Sequence, residues 1–283
     1  MVLSLERLTA LDRAHRLAQA RNAAAAALLV GRAWQKVDAD RLAATSSPWL
    51  ADSLRIIEAS HQRSQGFAGL YAEWARTEQA PDLPSLRLPP APSLNVEQVR
   101  TSLIYLGPSS AGRSLFAPDD EPVEVLPGIP LEQSPRVRAS IMERAATQII
   151  GATIRYVQNG GRDFLDEVVD KDAKAVGYVR ITGDNPCAFC AMLASRGPVY
   201  KDTSFNRSDP RFEGLGDHKV HDHCGCTIRP LYSKSRLLMP QRNQDFENLW
   251  AESTRGYSQK DTMNAFRRAY ERPALHLDDV EAV

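Results

Sequence analysis

All four cysteines of this 283-residue chain, and three of its six histidines, fall between Asp184 and Pro230. The segment opens with Asp184-Asn185-Pro186-Cys187-Ala188-Phe189-Cys190 and closes with His221-Asp222-His223-Cys224-Gly225-Cys226. A CxxC pair followed by a compact His/Cys cluster supplies more thiolate and imidazole donors than one tetrahedral zinc needs. Cys187 and Cys190 are spaced to grip one ion from a tight turn, with Pro186 presetting the backbone ahead of them. On the far side His221, His223, Cys224 and Cys226 compete for two places, because alternate residues of an extended segment share a face. Cys187, Cys190, His221 and Cys226 form the preferred set, and sets containing His223 or Cys224 stay open. The bland alternative is four buried thiols, against which the confinement of all four cysteines to two doublets counts.

The expected role of such a zinc is structural, since a catalytic zinc needs an open position and a general base. Known catalytic patterns are missing. Pro186-Cys187-Ala188-Phe189-Cys190 matches the PCxxC half of the zinc-deaminase signature, but the upstream histidines read His15-Arg16-Leu17 and His61-Gln62-Arg63. Neither supplies the HxE half. There is no HExxH, no P-loop and no GxGxxG, and the CxxC lacks the βαβ context of a redox motif. Asp217-His218 followed by His221 is a faint match to an HNH-type nuclease without the ordered ββα setting.

The 35 basic and 35 acidic residues cancel, which removes any bulk electrostatic case for nucleic acid or membrane. Glu6, Arg7, Asp12, Arg13 and Arg16 interrupt the apolar core a signal peptide would need. The longest apolar run, Ala23 to Val30, falls far short of the roughly 20 residues of a membrane span. The expectation is a cytosolic chain whose cysteines stay reduced.

Residues 1–80 read as a long helical hairpin. Leu3, Leu8, Leu11, Leu17, Leu28, Leu29 and Trp34 recur at helical spacing, and Ser47-Pro48 looks like a cap and first turn opening the second helix. Residues 81–134 are a proline-rich linker or arm, with a short helix at Val96 to Leu106, irregular structure beyond it and a short β-pairing near Val123 to Leu126. Residues 135–235 are a helical core with a knuckle. A helix starts at Ser134-Pro135 and is expected to stop at Asn159-Gly160-Gly161, with a second segment from Arg162 to Lys174. Gly177 to Thr182 and Cys226 to Tyr232 alternate as strands do. Residues 236–283 form a tail with one helix from Asp245 to Arg272. The fold class is α+β, predominantly α-helical, with a small zinc-stapled β knuckle. Arg229, Lys234, Arg236 and Arg242 make a basic run, usually a solvated face and occasionally a contact to DNA.

The stretch from Gly177 through Cys187, Cys190 and Gly197 to Tyr200 resembles the MuF-like minor head proteins of tailed bacteriophages, above all the actinobacteriophage branch. His221-Asp222-His223-Cys224-Gly225-Cys226-Thr227-Ile228-Arg229-Pro230 is similar to the HxxCxC ending of that family. The resemblance covers residues 135–235 and implies a structural protein of the phage head. It would lie inside the capsid near the portal, reach the virion from the host cytoplasm during assembly, and act in head morphogenesis or genome delivery. Implied partners are the portal and the major capsid or scaffold proteins, with possible contact to packaged DNA and none to membrane. The same branch implies a second function, a capsid maturation protease. Ser195, Ser204 and His218 are available for it in principle, but no pair stands out as nucleophile and base, so no catalytic residue is assigned.

Overall fold

Three long helices carry most of the chain in the computed structural model, which describes residues 2–116, 135–200 and 225–271. α1 spans Val2–Trp34 and α2 spans Leu42–Gln79. Facing pairs fix their direction: Leu8 meets Ala75, Asp12 bonds Tyr71, Gln19 bonds Ser64, Asn22 bonds Ser60, and Trp34 stacks edge-on against Trp49. Residue numbers rise on one helix as they fall on the other, so the pair is antiparallel, the expected hairpin. α5, Pro135–Lys171, lies in the groove between them. It runs against α1, with Trp34 Nε1 donating to the Met142 carbonyl, and alongside α2, with His61 contacting the Tyr156 carbonyl and Arg76 pairing with Asp172. One core of Ala26, Val30, Trp34, Trp49, Ile57, Ile149 and Val157 draws on all three helices.

α1 runs as one helix through Gly31, but other helix boundaries differ from expectation. α2 starts at Leu42, before Ser47-Pro48, and keeps Pro48 inside it. The proline removes one backbone bond, while Thr45 Oγ1 and Ser46 Oγ bond carbonyls one turn back and Leu42, Trp49 and Leu50 bury in the core. α5 likewise runs straight through Gly160-Gly161. These glycines do not end the helix; they let it touch its neighbours. A Cβ on Gly160 would sit 2.5 Å from the His61 carbonyl oxygen, and one on Gly161 would run into the Gln19 amide. The Gly161 N–H also donates to Ser64 Oγ at 2.9 Å.

After a turn at 80–83 the chain passes along α2 without regular secondary structure to Asn95, with Leu86 buried and Gln65 donating to the Pro92 carbonyl. Asn95 then caps α3, Val96–Ile104. Irregular chain was expected from residue 107, but a π-helical turn at Tyr105–Ser109, containing Pro108, leads directly into α4, Ser110–Phe116. Packing of Leu103, Ala111 and Leu115 on the main core overrides the proline. The pairing expected near Val123 to Leu126 lies outside the described residues.

After α5 the chain forms β1, Gly177–Ile181, then α6, Ala188–Ser195, and β2, Val199–Tyr200. β3, Thr227–Leu231, completes an antiparallel sheet of order β2-β1-β3. The expected single tail helix is two: α7, Gln241–Ser253, and α8, Gln259–Tyr270. Gly256 at φ +82 turns the chain between them, and both pack on α6 through Phe246, Phe266 and Met192. The architecture is α+β and predominantly helical. Among the described residues no helix is long and apolar enough to cross a membrane.

Gly160→Ala should therefore destabilise the protein by roughly 1–3 kcal/mol, the usual cost of overpacking against unyielding backbone. Gly66→Ala, in a helix with nothing within 4 Å of its added methyl, should be neutral or stabilising. Urea melts of the two variants, showing equal effects, would contradict the close-contact role.

Candidate functional site

The β1 strand delivers the chain to a loop held from two sides. Arg16 of α1 pairs with Asp184 at 2.9 Å, and Arg242 of α7 donates to the carbonyls of Gly183 and Asp184. The Arg16 hydrogen bond, helped by Arg242 and Arg13, holds the Asp184 carboxyl below its ordinary range. Pro186 follows, its carbonyl accepting from the Tyr270 hydroxyl at 2.6 Å. Cys187 is the N-cap of α6, its sulfur facing the Cys190 N–H at 3.4 Å. The positive end of the helix dipole therefore points at that sulfur. Cys190 lies in the first turn.

Cys226 reaches the same place from the other direction, just before β3, with its carbonyl taken by Arg162 Nε at 2.8 Å. Cys190 and Cys226 are buried against each other, and half-buried Cys187 packs on both; all three carry thiols. Tyr270 stands beside them: burial pushes its hydroxyl up, Arg242 opposes this, and the three sulfurs push it further up. Three residues of the preferred ligand set thus converge. His221, and the alternates His223 and Cys224, lie outside the described residues. Among the described residues no group of three or more His, Cys, Asp or Glu side chains is placed to hold a metal ion. Soft sulfur donors from a tight turn and a strand suit zinc.

Beneath the knuckle runs a buried polar seam that the sequence reading missed. β3 directs Thr227, Arg229 and Leu231 to one face, towards the helices. Arg229 is fully buried, yet the sequence placed it in a surface basic run. Its Nη1 pairs with Asp12 at 2.8 Å and its Nη2 donates to the Leu238 carbonyl. Tyr71 donates to the other Asp12 oxygen at 2.5 Å. Burial pushes the Asp12 carboxyl up, while Arg229, Tyr71 and Arg16 pull it down less strongly. Burial and the adjacent Asp12 also raise Tyr71. His15 stacks on Tyr71 with ring centres 4.3 Å apart, its Nε2 3.5 Å from Thr227 Oγ1, and burial lowers it to about 4. Removing one member of such a buried pair strands the other charge, at about 3–5 kcal/mol. A signal existed: Asp12, His15, Gln19 and Asn22 follow the same three-and-four spacing as the core residues Leu8 and Ala26.

Two further residues of the basic run have partners within the chain. Arg236 pairs with Glu247, and Arg242 holds the Gly183-Asp184 loop. Ser195 is buried at the end of α6 and donates to the Met192 carbonyl at 2.7 Å. Ser204 and His218 lie outside the described residues. His15 and His61, both buried, contact Thr227 and the Tyr156 carbonyl respectively.

A family model described as "VG15 protein" matches residues 6–253, taking in both the helical body and the knuckle. The chain is similar to the "Gene 15 protein" of Mycobacterium phage D29, 26% identical over 179 residues, or 50% of this chain. The matched region spans 65% of that relative's length. No solved structure matches.

His15 makes the seam sensitive to acid. Its folded value, about 4, lies below the 6.5 of a free imidazole, so the unfolded chain binds the extra proton first. Its contribution to stability is complete above 6.5 and is lost as pH falls towards 4, amounting to about 3 kcal/mol. Asp12, raised above 3.8, acts in the opposite sense, so the measurement is a difference. His15→Phe should flatten the loss of stability between pH 6.5 and 4 in urea melts, and an unchanged pH profile would show that His15 is not the group responsible.

Proposed function

The chain belongs to the VG15 protein family, and on that premise we propose that it is a structural minor protein of a tailed-phage head. It lies inside the capsid near the portal and acts in head assembly or genome delivery. The similarity to a mycobacteriophage protein supports the phage setting. One observation carries the structural role: Cys187, Cys190 and Cys226 meet in a knuckle joined to the helices by a buried ion pair. That is a construction for holding a shape. The helical body supplies the contacts to portal and to capsid or scaffold proteins. Within the basic run Arg229 and Arg242 serve the fold, and the exposed part of the run at Arg236 is where packaged DNA would be met.

In this reading the knuckle is stapled by a structural zinc. Cys187, Cys190 and Cys226 hold three of its positions, and His221 the fourth, with His223 or Cys224 as alternates. Bound zinc would cross-link the α6 turn to the β3 strand; it supplies no chemistry beyond that. Around it the protein does the positioning, with Arg162 fixing the Cys226 carbonyl and Tyr270 the Pro186 carbonyl.

Protein purified without chelator should contain about one zinc per chain by elemental analysis. Cys187→Ser should lower both the metal content and the melting temperature. Fully folded, metal-free protein would refute the staple.

Particle assembly tests the role itself. Expressed with its capsid, portal and scaffold partners, the chain should be retained in heads beside the portal and leave those partners uncut. Specific cleavage abolished by a single Ser or His substitution would replace the structural role with a maturation protease.

A further inference from the structure

Among the described residues, α1 packs one face into the fold and leaves the other exposed. The inward face carries Leu8, Asp12, His15, Gln19, Ala26 and Val30. On the opposite side of the helix, Ala10, Ala14, Leu17, Arg21, Ala24 and Leu28 recur at alternating spacings of four and three, and all are exposed. Leu17, Leu28 and the flanking Leu29 are 47%, 54% and 49% exposed. At its N-terminal end this face borders a shallow groove lined by Leu5, Glu6, Ala10, Arg13, Ala14 and Leu17.

Beyond Glu6 at the groove, the charges on this face have one sign. From Arg13 to Val37 the chain contains Arg13, Arg16, Arg21, Arg32 and Lys36 and no acidic residue. Arg16 is occupied by Asp184. Arg21, Arg32 and Lys36 are exposed and form no ion pair among the described residues.

We propose that the outer face of α1, from Ala10 to Arg32, docks an acidic amphipathic helix of a partner protein. This rests on the reading of the helical body as the part that contacts other head proteins, and it specifies the surface and the chemistry. Leucines of the partner lie in register between Leu17 and Leu28, where the alanines allow close approach. Its carboxylates meet Arg13, Arg21 and Arg32. A second copy of this chain fits less well, because its own face would bring cations against cations. A nucleic acid would satisfy the cations but leave Leu17, Leu28 and Leu29 in water.

The probes are a designed helical peptide with Leu at a and d and Glu at e and g, its counterpart with Lys for Glu, and a DNA duplex. Fluorescence anisotropy with the full chain reads their binding. The Glu peptide should bind, lose affinity as salt rises, and bind at least about tenfold more weakly to the Arg21→Glu/Arg32→Glu variant. Both substitutions are at exposed positions, so circular dichroism should be unchanged. Equal binding of the two peptides, or no binding of either, would overturn the proposal. So would duplex binding without peptide binding, or a dimer in sedimentation that Arg21→Glu dissolves. Any of these would leave the head-protein role standing, because that role is tested by location in particles.

Discussion

The pairing of Arg229 with Asp12 joins the two ends of the chain's folding problem. Asp12 lies in the first helix and Arg229 in the last strand, so the contact forms only when both the helical body and the knuckle are in place. A guanidinium cannot shed its proton inside a protein. Its burial therefore demands a carboxylate, and Asp12 is held in position by Tyr71, which is itself buried under His15. The preference for one docking of sheet on helices comes from this demand more than from apolar contact. Leucine-on-alanine packing tolerates sliding, whereas a buried charge has one place to go.

A second tier of polar contacts carries the same logic along α5. Gln19 and Ser64 bond each other over Gly161, His61 bonds the Tyr156 carbonyl, and Arg162 spans Gln158, Asn159 and the Cys226 carbonyl. The side chain that reaches the candidate metal site is thus anchored in the middle of the helical body. Of the cysteines, Cys226 sits at the outer end of this set through its carbonyl.

Periodic features were legible in the sequence, and features created by close approach were not. The alternation in Gly177–Ile181 and Thr227–Leu231 gives the two paired strands, and the CxxC with its downstream partner brings three sulfurs together. Gly160-Gly161 carries the local signature of a helix end, and only the proximity of α1 and α2 turns it into a crossing point. Ser47-Pro48 misled in the same way, since burial of Leu42 and Trp49 extends the helix backwards past a good cap. Arg229 illustrates the converse error. Charge predicts exposure on average, and a buried partner 217 positions away leaves no trace in the local pattern.

Because α5 does not break at its glycines, it is a single rod of 37 residues, roughly 55 Å long at the helical rise. One end is clamped by Trp34 near Met142, and the other by Arg76 at Asp172, within a few residues of β1. A rod held at both ends transmits load instead of absorbing it. A push on the tryptophan end is delivered along α5 to the turn before β1 without a hinge along the helix.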